Sequence, residues 1–412
     1  MKKYIFLTLS ITNVGGAEQY IYNKCEYLKN HGYKTYVFSS LDRKIIINSF
    51  KKYKQLIITE LMYSPYFSRS KTIDTVINKI VSLASITESD DVYIESNNIA
   101  QALWGELLAK RTNGKNIIFN FQEIHKYSIN EKLFLMYKLK RKELLGITKK
   151  SVSLMFDRSI PIKEWMTFSA YCNNVVACCD DRFSKMMDNN ADISIGSIGR
   201  LEKEFIMPMC NELYYLFTIN KDVKYNLIFI GGSNTELAEK KIKAKFKNLG
   251  NVKVIITGYL YPIPISLINN IDLFISTAGS AFVSYIERKK TVKVHPINAK
   301  PVQIMGYTYE DIESHTMYDV LENTTLVEQI NIALSLSDND INYPSKDYSY
   351  DDEMLAEFNR QIKMFYTKKE GYYNALSVKP SINPKNVIYF LLSKSIGCSK
   401  MHSLLEIIRK IK

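Results

Sequence analysis

Residues 1–40 spell out one complete strand–loop–helix–strand unit, and this unit constrains the fold more than any other feature of the chain. Tyr4-Ile5-Phe6-Leu7-Thr8-Leu9 is a short apolar run that gives way to Gly15-Gly16. From Ala17 onward, Tyr20, Ile21, Cys25 and Leu28 recur at helical spacing, and His31-Gly32 supplies a C-terminal stop before a second strand at 35–39. Two parallel strands joined by a crossover helix make a right-handed βαβ unit. Met1-Lys2-Lys3 and the apolar run superficially imitate a signal peptide. The stretch is short, however, and runs into a helical pattern with no A-x-A site, so a buried first strand is expected.

The rhythm repeats. Strands are expected at 91–95, 116–121 and 175–179, with helices at 99–110 and 131–145. After a polar break at Asn189-Asn190-Ala191-Asp192 the alternation restarts, with strands at 193–198, 227–230, 252–257 and 273–276 and a Lys-rich helix at 236–249. A polar surface loop is expected over 337–352 and a basic helical pattern over 387–412. The fold class is therefore α/β with two Rossmann-like domains. The expected division is 1–190, 191–375 and a C-terminal segment 376–412 crossing back to the first domain.

At 412 residues the chain exceeds one ordinary domain, and it contains no run of eighteen apolar residues to span a bilayer. Its six cysteines include no C-x-x-C pair, which argues against a zinc site or a disulfide framework and for reduced thiols in a cytoplasmic protein. The net charge of +13 draws nucleic acid, anionic lipid or phosphorylated ligands, but the lysines are dispersed and no nucleic-acid recognition motif accompanies them. No nucleic-acid partner is expected. His295 and His315 have no spacing that links them to a metal, and no D-x-D pair ends a strand, so no metal site is expected.

Gly15 and Gly16 lie at a strand-to-helix turn, where backbone approaches a ligand closely and helix N–H groups favour an anion. The segment Asn13-Val14-Gly15-Gly16-Ala17-Glu18, with the helix and His31-Gly32-Tyr33 after it, resembles the opening of GT-B glycosyltransferases of family four. The resemblance continues in order through Val175-Val176-Ala177-Cys178, Ser197-Ile198-Gly199-Arg200-Leu201, the strand running into Gly231-Gly232, the strand before Tyr259, and Ile271-Asp272-Leu273-Phe274-Ile275-Ser276. It covers residues 1 to about 310, and its strength is the ordered series rather than any one match.

The resemblance implies two domains facing a cleft, the second holding a UDP- or GDP-linked sugar as substrate and the first an acceptor, with no cofactor. Arg200 would clamp the diphosphate, with Lys203 as a second cation. Relatives carry that lysine five positions after the arginine, where this chain has Phe205. Gly279, Ser280 and Ala281 would offer backbone N–H groups to phosphate, and Gly231 and Gly232 would line the same cleft. Relatives also carry two glutamates eight positions apart; Glu287 fits the second, which grips the ribose, but Gly279 replaces the first. The donor sugar and stereochemical course are thereby left open. Glu123 and His125, at a first-domain strand end, are candidates for the acceptor base or for sugar binding.

The implied activity is transfer of a sugar to a glycan or lipid-linked acceptor in surface polysaccharide (capsule-type) synthesis. The protein would be cytoplasmic, with peripheral contact at the inner face of the membrane through its basic C-terminal helix. The alternative is a non-catalytic GT-B relative acting as a partner or scaffold subunit.

Overall fold

A strand apolar on both faces is stable only where both faces are covered, as in a parallel sheet flanked by helices. The computed structural model describes residues 1–12, 14–41, 45, 48–52, 55–122, 125–156, 160–172, 175–178, 181–233, 235–309, 318–345, 349–365, 371–381 and 384–411. The chain divides into two units: Met1–Asn13, Tyr20–Tyr171 and Asp351–Lys412 form the first, and Val14–Gln19 and Cys172–Tyr350 the second.

In the first unit β1 (Lys2–Thr8), β2 (Lys34–Ser39), β3 (Gln55–Ile57), β4 (Asp91–Ser96), β5 (Lys115–Asn120) and β6 (Leu144–Gly146) make one parallel sheet, ordered β3-β2-β1-β4-β5-β6. Tyr4, Ile5, Phe6 and Leu7 on β1 are wholly buried. The helices are α1 (Gly16–Asn30), α2 (Ser70–Leu83), α3 (Ile99–Thr112), α4 (Ile129–Lys140) and α5 (Lys149–Leu154). Helix α1 stops at the His31-Gly32 turn, where the Tyr33 N–H returns to the Leu28 carbonyl at 3.0 Å. Asn98 caps α3, accepting from the N–H groups of Ala100 and Gln101, and Ser128 with Glu131 forms a capping box on α4. The helix expected over 131–145 ends five residues early. Lys142 takes a positive φ of 58°, which turns the chain, and 144–146 become the edge strand β6 instead.

In the second unit β7 (Val175–Val176) and β11 (Ile263–Pro264) form a separate two-residue ribbon. The main sheet holds β8 (Ile193–Ile198), β9 (Tyr225–Ile230), β10 (Val252–Ile256), β12 (Leu273–Ser276), β13 (Lys290–Val294) and β14 (Pro301–Ile304), ordered β10-β9-β8-β12-β13-β14, with only β14 antiparallel. Counted from its own first strand, this repeats the order of the first sheet. Its helices are α6 (Asp181–Ser184), α7 (Ile206–Ile219), α8 (Glu236–Phe246), α9 (Ile265–Asn269), α10 (Ala278–Ile286) and α11 (Leu326–Ser335). The strand expected to be buried over 175–179 is only two residues long, and Ala177 and Cys178 are exposed, because its partner β11 passes at once into α9. That ribbon draws residues from Cys172 onward into the second unit, ahead of the division expected at 190.

Three helices follow: α12 (Tyr350–Phe365), α13 (Pro384–Ile396) and α14 (Cys398–Ile411). The continuous helical pattern read over 387–412 is broken at Gly397, whose φ of 86° few other residues adopt. Helix α12 belongs to the first unit. Phe358 packs on Tyr20 and Tyr27, Phe365 packs on Tyr4 and Tyr93, and the Tyr20 hydroxyl donates to Gln361 Oε1 at 3.0 Å.

Beneath α12 lies a buried charge pair. Lys24 Nζ is 2.6 Å from Glu95 Oε2, neither side chain has exposed surface, and the Tyr4 hydroxyl donates to the same oxygen at 2.6 Å. Burial lowers the Lys24 pKa, opposed by the attraction of Glu95. Removing one partner strands the other charge away from water. Lys24→Met is therefore expected to cost about 3–5 kcal/mol in urea unfolding, and the double variant Lys24→Met/Glu95→Leu to recover a large part of it.

Candidate functional site

In a sheet with this strand order, the connections leave the two central strands in opposite directions and open a crevice beyond their carboxyl ends. In the second unit those strands are β8 and β12. Beyond β8 comes Gly199, whose φ of 144° is costly for any residue with a Cβ. Gly231, just past β9, fits beneath it: a Cβ at 231 would lie 1.9 Å from the Gly199 carbonyl oxygen. The strand ends are sewn together by the Gly199 N–H to the Ile230 carbonyl at 3.0 Å and the Leu201 N–H to the Gly232 carbonyl at 3.1 Å. The Gly231 N–H is engaged by Thr257 Oγ1 at 3.2 Å. Gly231 and Gly232 thus permit close backbone approach, which fixes the position of the residues that follow β8.

Those residues are Arg200 and Lys203. The Lys203 side chain folds back over Gly199, its Nζ 2.9 Å from where a Cβ there would be. Phe205, at the position where relatives place the lysine, is wholly buried and begins α7, and the Lys203 ammonium lies 5.8 Å from its ring centroid. Burial, then the neighbouring Arg200 charge, brings the Lys203 pKa down to about 8, with Cys172 acting weakly the other way. Among the described residues no carboxylate pairs with Arg200 or Lys203. Two adjacent cations, one of them desolvated and held against its own charge, form a receptor for an anion.

The other side of the crevice is the start of α10. Thr277 precedes the helix without a side-chain cap, so the first-turn N–H groups are left for another acceptor. Ser280 Oγ donates to the Thr277 carbonyl at 2.6 Å, which turns the hydroxyl onto its own backbone. Ala281 is fully buried and packs inward. A Cβ on Gly279 and one on Gly16 would each lie 3.3 Å from Cys172 Sγ, so the thiol sits between these two glycines. Burial pushes the Cys172 pKa up to about 11, which keeps it a neutral thiol. Gly15 gives its carbonyl to the Gln19 N–H at 3.0 Å, and the Glu18 carboxylate occupies the space beside it, so α1 meets an acidic group of its own.

The second unit therefore brings Arg200, Lys203, Gly16, Gly279 and Cys172 together. It does not bring Glu287 to them: this residue caps the C-terminal end of the nine-residue α10, roughly 12 Å along the axis from Gly279 and Ser280. Glu123 lies outside the described residues. His125, in the first unit beyond β5, is exposed, with its ring 4.6 Å from that of Tyr127. Among the described residues no cluster of three or more His, Cys, Asp or Glu side chains is arranged to hold a metal. His295 accepts from the Ile297 and Asn298 N–H groups in its own loop, and His315 lies outside the described residues.

Two further features were not singled out from sequence. Tyr259, after Thr257-Gly258 at the end of β10, lays its ring against Gly232, 2.8 Å from where a Cβ would be. An aromatic beside glycine at a strand end was the available signal. Ser197 and Thr277, on the two strands that flank the crevice, keep buried hydroxyl oxygens without a hydrogen-bond partner among the described residues, which no sequence pattern announces.

No protein-family model and no curated protein matches the chain. Among solved structures it is similar to a glycosyltransferase from Rickettsia africae ESF-5, with 16% identity over 95% of this chain and 99% of that one and a TM-score of 0.55. It is also similar to Anabaena HepE in complex with UDP and glucose, with 12% identity over 100% of both chains and a TM-score of 0.54. HepE in complex with UDP-glucose gives 13% identity, 88% and 94% coverage and a TM-score of 0.53. The fold is GT-B, with two Rossmann-like domains.

Proposed function

We propose that this chain is a glycosyltransferase that takes a UDP- or GDP-linked sugar as donor and passes the sugar to a glycan or lipid-linked acceptor in surface polysaccharide synthesis. The observation that carries the reading is the pair Arg200 and Lys203, unmatched by any carboxylate among the described residues and set at the crevice of the second sheet. The fold shared with HepE, whose structures hold UDP and UDP-glucose, supports the choice of a nucleoside diphosphate as the anion.

In this reading Arg200 and Lys203 receive the two phosphates, and the α10 N–H groups at 278–280 add neutral donors. As the sugar–phosphate bond breaks, negative charge grows on the departing diphosphate, and these same groups stabilise it more than they stabilise the bound donor. Tyr259 supplies a flat apolar surface for the base. Glu123 and His125 remain the candidates for accepting the acceptor proton or holding its hydroxyls.

Calorimetric titration with UDP and GDP tests the reading, followed by transfer or hydrolysis assays on a panel of donors. Binding of neither nucleotide would end it. Tyr259→Ala is expected to weaken nucleotide binding by roughly 10-fold, the scale of one lost base-stacking contact, while leaving the melting temperature nearly unchanged. Gly279, where relatives carry a glutamate, motivates the second reading, a scaffold subunit that binds nucleotide without turnover. Release of sugar from any donor excludes it.

A further inference from the structure

Helices α13 and α14 form a hairpin that fastens one side to residues 59–69 of the first unit. Ser393 Oγ donates to the Phe67 carbonyl at 2.9 Å, Lys394 Nζ donates to the Ser68 carbonyl at 2.6 Å, Tyr63 meets His402 at 3.2 Å, and the rings of Tyr66 and Phe390 stack at 5.6 Å. The faces turned away from these contacts are apolar. On α13, Val387, Ile388 and Leu391 share one side and are 46%, 53% and 60% exposed. On α14, Leu404, Ile407 and Ile408 follow at the same helical spacing and are 40%, 56% and 45% exposed, with exposed Lys400 one turn before them.

Large side chains singly exposed need no explanation; six on one short hairpin do. The charge of the segment selects the occupant. Residues 384–412 carry five lysines and one arginine against one glutamate and no aspartate, within a chain of net charge +13. Two copies pressed together by this face would set like charges against each other. An anionic bilayer answers both the apolar row and the charge around it. No helix among the described residues is long and apolar enough to cross a membrane, so the hairpin would lie in the interface plane.

We infer that the outer face of the α13–α14 hairpin is a docking surface for an anionic lipid bilayer. The inference rests on the proposed function for its purpose: it names the surface that would bring the chain to a lipid-linked acceptor. The full chain is tested by co-sedimentation with vesicles containing phosphatidylglycerol and with vesicles of phosphatidylcholine alone, and UDP affinity is measured on the same preparations. Binding to the anionic vesicles is expected, weakening as salt rises. The triple variant Ile388→Ser, Leu391→Ser, Ile407→Ser is expected to lose at least about 10-fold in binding, and Lys400→Ala about fivefold.

Because these side chains are largely exposed, the variants should keep the wild-type melting temperature and UDP affinity. No binding to anionic vesicles, or binding untouched by the triple variant, overturns the inference. So does a wild-type dimer in sedimentation equilibrium that the triple variant dissociates, which would assign the face to a second copy. Vesicle binding without UDP binding would sink the donor reading and leave the surface standing.

Discussion

Changing Lys203 to methionine is expected to weaken UDP binding by about 10- to 100-fold, the scale of one lost charge-assisted phosphate contact, while making the unliganded chain more stable. Both effects follow from one placement. The ammonium is held over Gly199 beside Arg200, with its pKa near 8 instead of the model value of 10.5. Since the folded pKa lies below the unfolded one, between these values the unfolded chain binds more protons, and stability rises with pH through that window. Below pH 8 the folded state carries the cost of a charge held out of water. Methionine removes it, for a gain of up to about 2 kcal/mol, allowing for the part of the side chain that water still reaches.

Affinity should run the opposite way with pH. The protonated lysine is the form that receives phosphate, so UDP binding should hold from neutral pH to about 8 and then weaken, approaching tenfold per unit. Arg200→Ala should reduce affinity without moving this profile upward. Equal UDP affinity in the wild type and both variants would remove the cation pair from the site.

The second large effect is on the fold. Gly231→Ala is expected to destabilise the second unit by about 3 kcal/mol or more in thermal or urea unfolding, because the new methyl would sit 1.9 Å from a backbone carbonyl oxygen. No rotamer change relieves a clash between Cβ and backbone. The ends of β8 and β9 must part, and the hydrogen bonds of Gly199 and Leu201 part with them. UDP binding should fall as well, since Arg200 and Lys203 take their positions from that junction. Gly250→Ala is the control: nothing lies within 4 Å of its would-be Cβ, and its stability change should stay within about 0.5 kcal/mol. A Gly231 variant as stable as the Gly250 variant would show that the tight junction is not required.

Where the chain states its structure locally, the sequence could be read directly. The strands at 193–198 and 273–276 and the end of α1 before Gly32 lie where apolar runs and a terminal glycine predict them. Departures occur where a remote partner decides. Leu144 and Leu145 carry on a helical pattern but are taken by the edge of a sheet whose other strands lie far away in sequence. Val175 and Val176 look like a core strand, yet pair only with a two-residue partner. At the site, Arg200 was legible as a cation after a strand. The desolvation of Lys203 was not, because it depends on how closely Gly199, Gly231 and Phe205 pack. Nor could spacing show that Glu287 would fall at the far end of its helix.

The helix that covers the Lys24–Glu95 pair is translated after the whole second unit, although it completes the first. During synthesis the first sheet must therefore wait, its ionic pair and the rings of Tyr4 and Tyr20 uncovered, until some 180 intervening residues have emerged from the ribosome. The amino-terminal lobe thus cannot mature independently of what is made later. A ribosome stalled before residue 351 would hold a nascent chain with a sticky, half-roofed sheet, a natural client for a chaperone.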